Sequence, residues 1–187
     1  KVLIANSELM KRDLASRYQI PEDKIEVLYQ GYDPTVFNVE DKETGRKRYR
    51  RRFGVKDSEL FIGLVTSGSF QKRGVELFIE ATALIPEEQR ENLRFLVVGK
   101  ESNLAFYQNL AGAHQLASKY TFSRPIDDVE KLFHALDLTV LPAKWEEFGR
   151  VVIEAMACEK PVIVSDKVGA SEILEGPARE SIFPADD

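Results

Sequence analysis

Two glutamates, Glu146 and Glu154, have seven residues between them and carry the clearest chemical signal in this sequence. Phe148-Gly149, between them, opens a helical pattern with apolar residues along one side. Glu154 follows Arg150 by four positions, so its side chain is expected to lean back over the first turn of that helix. A carboxylate only accepts hydrogen bonds, which suits the two vicinal hydroxyls of a ribose.

The start of the same helix offers a complementary site for an anion. The N–H groups of Gly149, Arg150 and Val151 have no partner within the helix and carry the positive end of its dipole. A phosphate fits such donors. An anion site and a diol site within about a turn of each other would suit a sugar nucleotide.

The surrounding pattern predicts the elements that hold these groups. An apolar run at residues 138–141 is ended by Pro142, and residues 161–164 form a second short apolar strand after the helix. Strands and helices alternate from Ile25 onward with short connections. The sequence therefore predicts an α/β fold, a Rossmann-like parallel sheet with helices on both faces, whose ligand lies beyond the carboxyl ends of the strands.

A second strand–helix loop supplies cations. Residues 61–66 read as a buried strand, and Lys72 and Arg73 stand just before Gly74 and the next helical pattern. Cations at the mouth of such a loop are well placed for a diphosphate, which arginine can bind with two parallel hydrogen bonds. The alternative is a basic loop that is exposed to water and binds nothing.

Residues 146–157, EEFGRVVIEAMA, together with KPVI at 160–163 and G-x-x-E at 169–172, resemble the E-x7-E signature of retaining GT-B glycosyltransferases. More narrowly, they resemble glycosyltransferase family 4, the group 1 transferases. Residues 68–74 resemble the family's G-R-x-x-x-x-K-G motif, with Ser69 in place of its arginine and Arg73 in place of its lysine. The resemblance covers nearly the whole chain and implies one half of a GT-B fold.

The resemblance also implies roles for individual residues. Glu154 should hold the ribose hydroxyls, and Glu146 should act as the catalytic carboxylate at the hydroxyls of the transferred sugar. Lys72 and Arg73 together should bind the donor's diphosphate, and the loop that contains Arg124 should lie against the nucleobase. The backbone amides along the sugar and the diphosphate should be those of Phe148, Gly149, Arg150 and Val151.

By the same resemblance, the parent enzyme transfers a sugar from a UDP- or GDP-linked donor to an acceptor glycan or lipid-linked glycan, with retention. Similarity to the lipopolysaccharide-core type favours UDP-glucose. Neither a metal nor another cofactor is expected, because Lys72, Arg73 and the helix N-terminus would neutralise the leaving diphosphate.

Two alternatives stay open at the level of sequence. One is a sugar-nucleotide epimerase of GT-B type, which has a similar donor half. The other is a non-catalytic α/β interaction module of flavodoxin or receiver type. Receiver domains place an acidic cluster after their first strand, whereas this chain has the basic loop 71–74 after residues 61–66.

The resemblance divides the chain into two parts. Residues 1–24 resemble the end of the family's N-terminal domain, and residues 25–187 resemble the C-terminal nucleotide-sugar-binding domain without its final helices. Because residues 1–6 begin abruptly as a strand, we expect the chain to be a fragment of a longer protein. Such a fragment should be inactive alone, since the acceptor site would lie in its own missing N-terminal domain.

Composition narrows the class of protein. The chain has 187 residues, of which 43% are hydrophobic and 30% charged, enough for one substantial core. Its formal net charge of −5 gives no support for a nucleic-acid partner. The single cysteine, Cys158, predicts a reducing, cytoplasmic location. The basic run at residues 46–52 predicts a short solvated helix or, alternatively, peripheral contact with anionic lipid at the inner face of the membrane.

Overall fold

The computed structural model describes residues 1–185, which form two parallel sheets. The smaller sheet pairs β1 (Leu3–Ala5) with β2 (Ile25–Val27), and α1 (Glu8–Tyr18) connects them. The larger sheet contains six strands: β3 (Leu60–Val65), β4 (Leu93–Val98), β5 (Tyr120–Ser123), β6 (Leu138–Leu141), β7 (Val162–Ser165) and β8 (Ile182–Phe183).

Helices cover the larger sheet: α2 (Lys42–Phe53), α3 (Val75–Ala83), α4 (Glu87–Arg90), α5 (Leu104–Ala113), α6 (Val129–Ala135) and α7 (Arg150–Ala157). Short 3₁₀ helices occur at Glu22–Lys24, Gly169–Ile173 and Gly176–Ser181. Within the larger sheet the spatial order is β5-β4-β3-β6-β7-β8, with all neighbours parallel. The order therefore reverses between β3 and β6, and an open α/β sheet binds its ligand beside such a reversal.

The core lies on both faces of the larger sheet, as expected for parallel strands. Side chains of β4 alternate between the two faces, because successive residues of a strand point in opposite directions. Leu96 packs with α2, α6 and α7 in one apolar cluster, whereas Phe95 and Val97 pack with α3 and α5 in the other. The predicted Rossmann-like parallel sheet covered on both faces is confirmed.

The basic run lies on α2, which ends at Gly54 with φ of 66°. Tyr49 and Phe53 face the core, and the helix is not solvated on every other side, as the predicted short solvated helix would be. Arg50 is only 2% exposed and its guanidinium donates to Asp137 at 3.0 Å. No helix in residues 1–185 combines the length and the apolar character that crossing a membrane would require.

The N-terminal segment forms a unit of its own that packs on the larger one. Ser7 is the N-cap of α1, and its hydroxyl accepts a hydrogen bond from the Met10 N–H at 3.0 Å. Because β2 pairs with β1, the unit extends beyond Ile25. The domain boundary after residue 24 stays a prediction.

Candidate functional site

A crevice of about 620 Å³ opens at the carboxyl ends of β3 and β6, where the strand order reverses. Loops, helices and strand ends of the larger sheet contribute to it, together with two residues of the N-terminal unit. The residues that line it include Thr66, Ser67, Arg73, Pro125, Ile126, Val129, Glu146, Glu147, Phe148, Gly149, Arg150, Val151 and Glu154. The position agrees with the rule that open parallel sheets bind ligands beyond the carboxyl ends of their strands.

The loops that follow β3 and β6 are in direct contact. Gly74 has φ of 72°, and a Cβ added there would lie 1.8 Å from the Pro142 carbonyl oxygen. The Lys144 N–H donates to the Lys72 carbonyl at 2.9 Å. Only glycine allows this approach, so Gly74 brings the loop that carries Arg73 against the loop that carries Glu146.

Arg73 is held by both loops. Its guanidinium bonds the Glu146 carboxylate at 2.8 Å and donates to the Trp145 carbonyl at 2.5 Å. It also lies against Gly68, where an added Cβ would be 2.8 Å from the arginine Nε. Both side chains of the pair are about 85% buried, with 15% and 16% of their surfaces exposed. A cation is therefore fixed at the mouth of the crevice before any ligand arrives.

Burial raises the pKa of Glu146, and Arg73 lowers it only in part, while the neighbouring Glu147 raises it further. The carboxylate is thus under-stabilised by the groups around it. Such a group gains from additional hydrogen-bond donors, and hydroxyls of a ligand in the crevice would supply them.

The residues at the start of α7, Gly149, Arg150 and Val151, line the crevice. Gly149 precedes the helix with φ of 89°, and an added Cβ there would lie 2.9 Å from a Val168 methyl group and 3.1 Å from Glu146. The Val152 N–H already bonds the Gly149 carbonyl at 2.9 Å. The amides of residues 149–151 are therefore the candidate donors for an anion, and that role stays a prediction.

Glu154 lies one turn further along α7 and lines the same crevice. Its side chain is 13% exposed and forms an i,i+4 ion pair with Arg150 at 2.9 Å. Burial raises the pKa of Glu154, and Arg150 opposes that shift. The structure thus brings Glu154, Glu146, Arg73 and the α7 amides to one cavity.

Backbone hydrogen bonds hold the segment between Glu146 and Phe148 from two sides. The Gly169 and Ala170 N–H groups donate to the Glu146 and Phe148 carbonyls at 3.0 and 2.7 Å. From the N-terminal unit, the Ser7 hydroxyl donates to the Glu147 carbonyl at 2.6 Å. The start of α1 therefore rests directly on the segment that carries the candidate site.

Glu172 fixes α1 in that place. Its carboxylate accepts hydrogen bonds from the Glu8 and Leu9 N–H groups at 2.8 and 2.6 Å, where the positive end of the helix dipole lies. The Tyr29 hydroxyl donates to the same carboxylate at 3.2 Å. Glu172 thus joins the 169–173 turn to the N-terminal unit, a contact that the sequence did not reveal.

Two of the residues singled out from the sequence do not line the crevice. Lys72 lines a neighbouring groove with Trp145 and residues of α1, so its side chain and that of Arg73 occupy different cavities. Arg124 is exposed, while Pro125 and Ile126 of the same loop line the crevice. The roles of Lys72 and Arg124 in donor binding stay predictions.

Other residues of the crevice were not singled out from the sequence. Thr66 and Ser67 follow β3 at the strand reversal, and that position in a parallel sheet could have pointed to them. Asn6 and Gln30 come from the N-terminal unit. Within residues 1–185 the Asn6 Oδ1 is buried without a hydrogen-bond partner. No sequence pattern connects these two residues to the crevice.

Residues 1–185 contain no group of three or more His, Cys, Asp or Glu side chains arranged to hold a metal ion. Metal-independent chemistry stays a prediction. Cys158 is buried at the end of α7, and burial raises the pKa of its thiol to about 11. The thiol is therefore protonated at neutral pH, which agrees with a packing role rather than a nucleophile.

Comparisons with known proteins point to one family of enzymes. The family model for glycosyl transferases group 1 matches residues 45–183. An uncharacterized glycosyltransferase of Methanocaldococcus jannaschii is 32% identical over 175 residues, covering 92% of this chain and 44% of that protein. The lipopolysaccharide glucosyltransferase WaaG of Escherichia coli K12 is 31% identical, covering 87% of this chain and 43% of WaaG.

Solved structures show the same fold. A crystal structure of WaaG, 29% identical, superposes with a TM-score of 0.81 over 91% of this chain and 45% of its own. HepE of Anabaena, solved with UDP and glucose, is 24% identical and superposes with a TM-score of 0.80. The chain spans less than half the length of the curated relatives it matches.

Proposed function

This chain belongs to the group 1 glycosyl transferases, and we propose that it is the donor-binding part of a retaining glycosyltransferase. The donor would be a nucleoside diphosphate sugar. The observation that carries the proposal is the convergence of Arg73, the α7 amides, Glu146 and Glu154 on one crevice at the strand reversal. A cation, an anion-binding helix start and two carboxylates match the diphosphate, sugar and ribose of such a donor.

The diphosphate is assigned to Arg73 and the amides of residues 149–151. The guanidinium is always charged and, already held by the Trp145 carbonyl and Glu146, needs little reordering on binding. Negative charge develops on the diphosphate as the sugar departs, and preorganised donors stabilise such charge strongly in a site that excludes water. No step of the proposal requires a metal.

The two carboxylates divide the remaining parts of the donor between them. Glu154 is assigned to the ribose hydroxyls because it lies about one turn from the amides that would hold the diphosphate. Glu146 is assigned to the hydroxyls of the transferred sugar because it stands beside Arg73 on the other side of Gly149. Pro125 and Ile126 supply an apolar wall for the nucleobase.

The sugar and the acceptor are proposed more broadly. WaaG, 31% identical, is a lipopolysaccharide glucosyltransferase, which supports glucose as the first sugar to test and a glycan or lipid-linked glycan as acceptor. A lone thiol supports a reducing, cytoplasmic location. The exposed Lys47, Arg51 and Arg52 of α2 support peripheral contact with anionic lipid, which co-sedimentation with anionic and neutral vesicles would test.

Calorimetry with UDP, GDP and ADP tests the proposal. We expect at least one nucleotide to bind, and Glu154→Gln to weaken it about tenfold, since one charge-assisted hydrogen-bond pair is lost. Glu80→Gln, an exposed carboxylate on α3, is the matched control and should leave the affinity unchanged. If none of the three nucleotides binds, a non-catalytic module is favoured. If the Glu154→Gln variant binds the nucleotide as tightly as the unchanged chain, the assignment of Glu154 to the ribose is wrong.

An epimerase of GT-B type would also bind a nucleotide, so binding alone does not separate it from a transferase. The distinction is in the reaction. A longer protein that contains this chain should release nucleoside diphosphate from the sugar nucleotide only when an acceptor is present. Conversion of the sugar nucleotide to its epimer without an acceptor would support the epimerase instead.

A further inference from the structure

Asn6, between β1 and α1, lines the crevice from the N-terminal unit. Within residues 1–185 its Oδ1 is buried without a hydrogen-bond partner. The residue does not have the positive φ at which asparagine is favoured, so backbone geometry does not account for its presence. A buried carbonyl without a partner costs free energy, and a ligand that binds the amide group would offset that cost.

The contacts of the next residue locate Asn6 within the crevice. The Ser7 hydroxyl donates to the Glu147 carbonyl at 2.6 Å. Ser7 also lies against Gly169, where an added Cβ would be 2.6 Å from the serine Cβ. The Gly169 N–H in turn donates to the Glu146 carbonyl at 3.0 Å. Asn6 therefore lies at the Glu146 end of the crevice, which is assigned above to the transferred sugar.

The start of α1 does not offer a second site for the diphosphate. The Glu8 and Leu9 N–H groups donate to the Glu172 carboxylate, whose charge also neutralises the positive end of the helix dipole. The Met10 N–H donates to the hydroxyl of the N-cap residue at 3.0 Å. These amides are already bonded, so the N-terminal unit meets the crevice through the Asn6 side chain rather than through its helix.

We propose that Asn6 is a donor-binding residue whose amide group binds a hydroxyl of the transferred sugar. The proposal rests on the proposed function, because it takes the crevice as the donor site. A primary amide has two N–H donors and a carbonyl acceptor, and a sugar hydroxyl both donates and accepts. Rotation about the last side-chain bond exchanges the two ends of the amide, so that either end can face the ligand.

Calorimetry with UDP and UDP-glucose tests the proposal. Asn6→Ala should raise the Kd for UDP-glucose about fivefold to tenfold and change the Kd for UDP by less than about twofold, because only the sugar loses a hydrogen-bond partner. If GDP or ADP is the nucleotide that the chain binds, GDP-glucose or ADP-glucose replaces UDP-glucose. Asn92→Ala, at an exposed asparagine outside the crevice, is the matched control and should change neither Kd.

Thermal unfolding of the same variant separates a binding role from support of the fold. Asn6→Ala removes a buried carbonyl that has no partner, so the midpoint of thermal unfolding without ligand should stay the same or rise. An asparagine that supports the fold would lower the midpoint when it is replaced by alanine.

Glu172 is the positioning residue in this arrangement, because it fixes the start of α1 beside Asn6. Glu172→Ala should weaken UDP-glucose binding about fivefold in the otherwise unchanged chain. When Asn6→Ala is already present, it should weaken binding by less than about twofold, because both substitutions disturb the same contact. Additive losses would mean that Glu172 does not act through Asn6, and the comparison of Asn6→Ala with the unchanged chain does not depend on this result.

Three results would overturn the role of Asn6. The first is an equal loss of UDP and UDP-glucose affinity in Asn6→Ala, which would mean that the amide does not act on the sugar. The second is an unchanged affinity for UDP-glucose, and the third is a lowered midpoint of thermal unfolding. In each case the unchanged chain still binds nucleotide, whereas failure of the proposed function is recognised by the absence of binding to UDP, GDP and ADP.

Discussion

Two buried arginine–carboxylate pairs stand at opposite ends of the same two strands. Asp137, directly before β6, bonds Arg50 at 3.0 Å and accepts from the Phe61 N–H near the start of β3 at 2.8 Å. Arg73 and Glu146, in the loops that follow β3 and β6, form their pair at 2.8 Å. The two pairs have the same chemistry and similar geometry, yet only the second faces a crevice.

The surroundings of the first pair satisfy it almost completely. Arg50 also donates to the carbonyls of Lys56, Glu59 and Ala135. Burial acts to raise the pKa of Asp137, but the Phe61 N–H and the guanidinium groups of Arg50 and Arg46 together lower it below its ordinary value. The ionised carboxylate is thus well stabilised, as a structural pair requires.

In the second pair, Arg73 and Glu146, the pKa of the carboxyl group is shifted in the opposite direction. Burial raises the pKa of Glu146, and Arg73 does not reverse the shift. The ionised Glu146 carboxylate is therefore less well stabilised than that of Asp137, and Glu146 lines the crevice. The comparison shows that burial of an ion pair does not identify a site by itself. A buried pair whose carboxyl group has a raised pKa, at the carboxyl ends of parallel strands, does indicate one.

The largest expected effect is on the structural pair. Arg50→Ala should lower the free energy of unfolding by about 3–5 kcal/mol, because it removes a buried guanidinium that binds the Asp137 carboxylate and three carbonyls. Urea denaturation measures the change. Arg51→Ala, on the exposed side of the same helix, should stay within about 0.5 kcal/mol. Equal effects in the two variants would mean that Arg50 contributes no more than a surface residue.

Breaking the contact between the loops of the second pair should have the next largest effect. Gly74→Ala should lower the free energy of unfolding by about 2–3 kcal/mol, because it adds a clash with the Pro142 carbonyl to the strain of a positive φ. Gly54→Ala has a similar φ but open space around it, so it should cost only about 1 kcal/mol. If denaturation shows the same loss of unfolding free energy in Gly74→Ala and Gly54→Ala, the contact between Gly74 and Pro142 contributes nothing to stability.

Changing Arg73 itself should affect binding more than stability. Arg73→Lys keeps the charge but loses the fork that spans the Trp145 carbonyl and Glu146, so nucleotide affinity should fall about tenfold, or about 1.4 kcal/mol. Arg48→Lys, at the exposed pair with Asp128, should leave affinity unchanged. Calorimetry measures the nucleotide affinity of both variants. If Arg73→Lys binds as tightly as the unchanged chain, a positive charge without the guanidinium fork is enough to bind the nucleotide.

The smallest expected effect is the dependence of stability on Glu154. Because burial raises its pKa in the folded chain above the unfolded value, its contribution to stability is present at low pH and is lost as the pH rises through the raised pKa. Glu154→Gln should therefore change stability by less than about 1 kcal/mol at pH 7. Relative to this variant, the unchanged chain should become more stable as the pH falls below the raised pKa.

Nucleotide binding should show the reverse dependence on pH. The ribose hydroxyls need the ionised Glu154, so the affinity of the unchanged chain should weaken as the pH is lowered toward the raised pKa. The Glu154→Gln variant, which has no carboxyl group to titrate at this position, should lose less affinity over the same range. Calorimetry at several pH values measures both, and parallel curves would contradict the ribose assignment.

Much of the fold and part of the site could be predicted from local pattern. Alternating strands and helices indicate the parallel sheet, and Phe148-Gly149 marks where α7 begins. Helical periodicity also places Glu154 over the first turn of α7. These features depend on residues close in sequence, where backbone geometry dictates which way a side chain points.

Residues in irregular loops could not be placed in this way. Lys72 and Arg73 are neighbours in sequence, but they line different cavities, and the contact of Gly74 with Pro142 constrains the path of the loop that carries them. Arg50 looks like any other member of the basic run until α2 packs on α6 and brings it to Asp137.

The sequence by itself determined the class of fold, the start of α7 and the spacing of the two glutamates, since each follows from short-range geometry and from side-chain periodicity. Only the tertiary structure decided which cation reaches Glu146, that Asn6 of the N-terminal unit lines the crevice, and that a second groove meets it at Glu147. Those contacts join segments distant in the chain, and their geometry depends on how the loops and helices pack together.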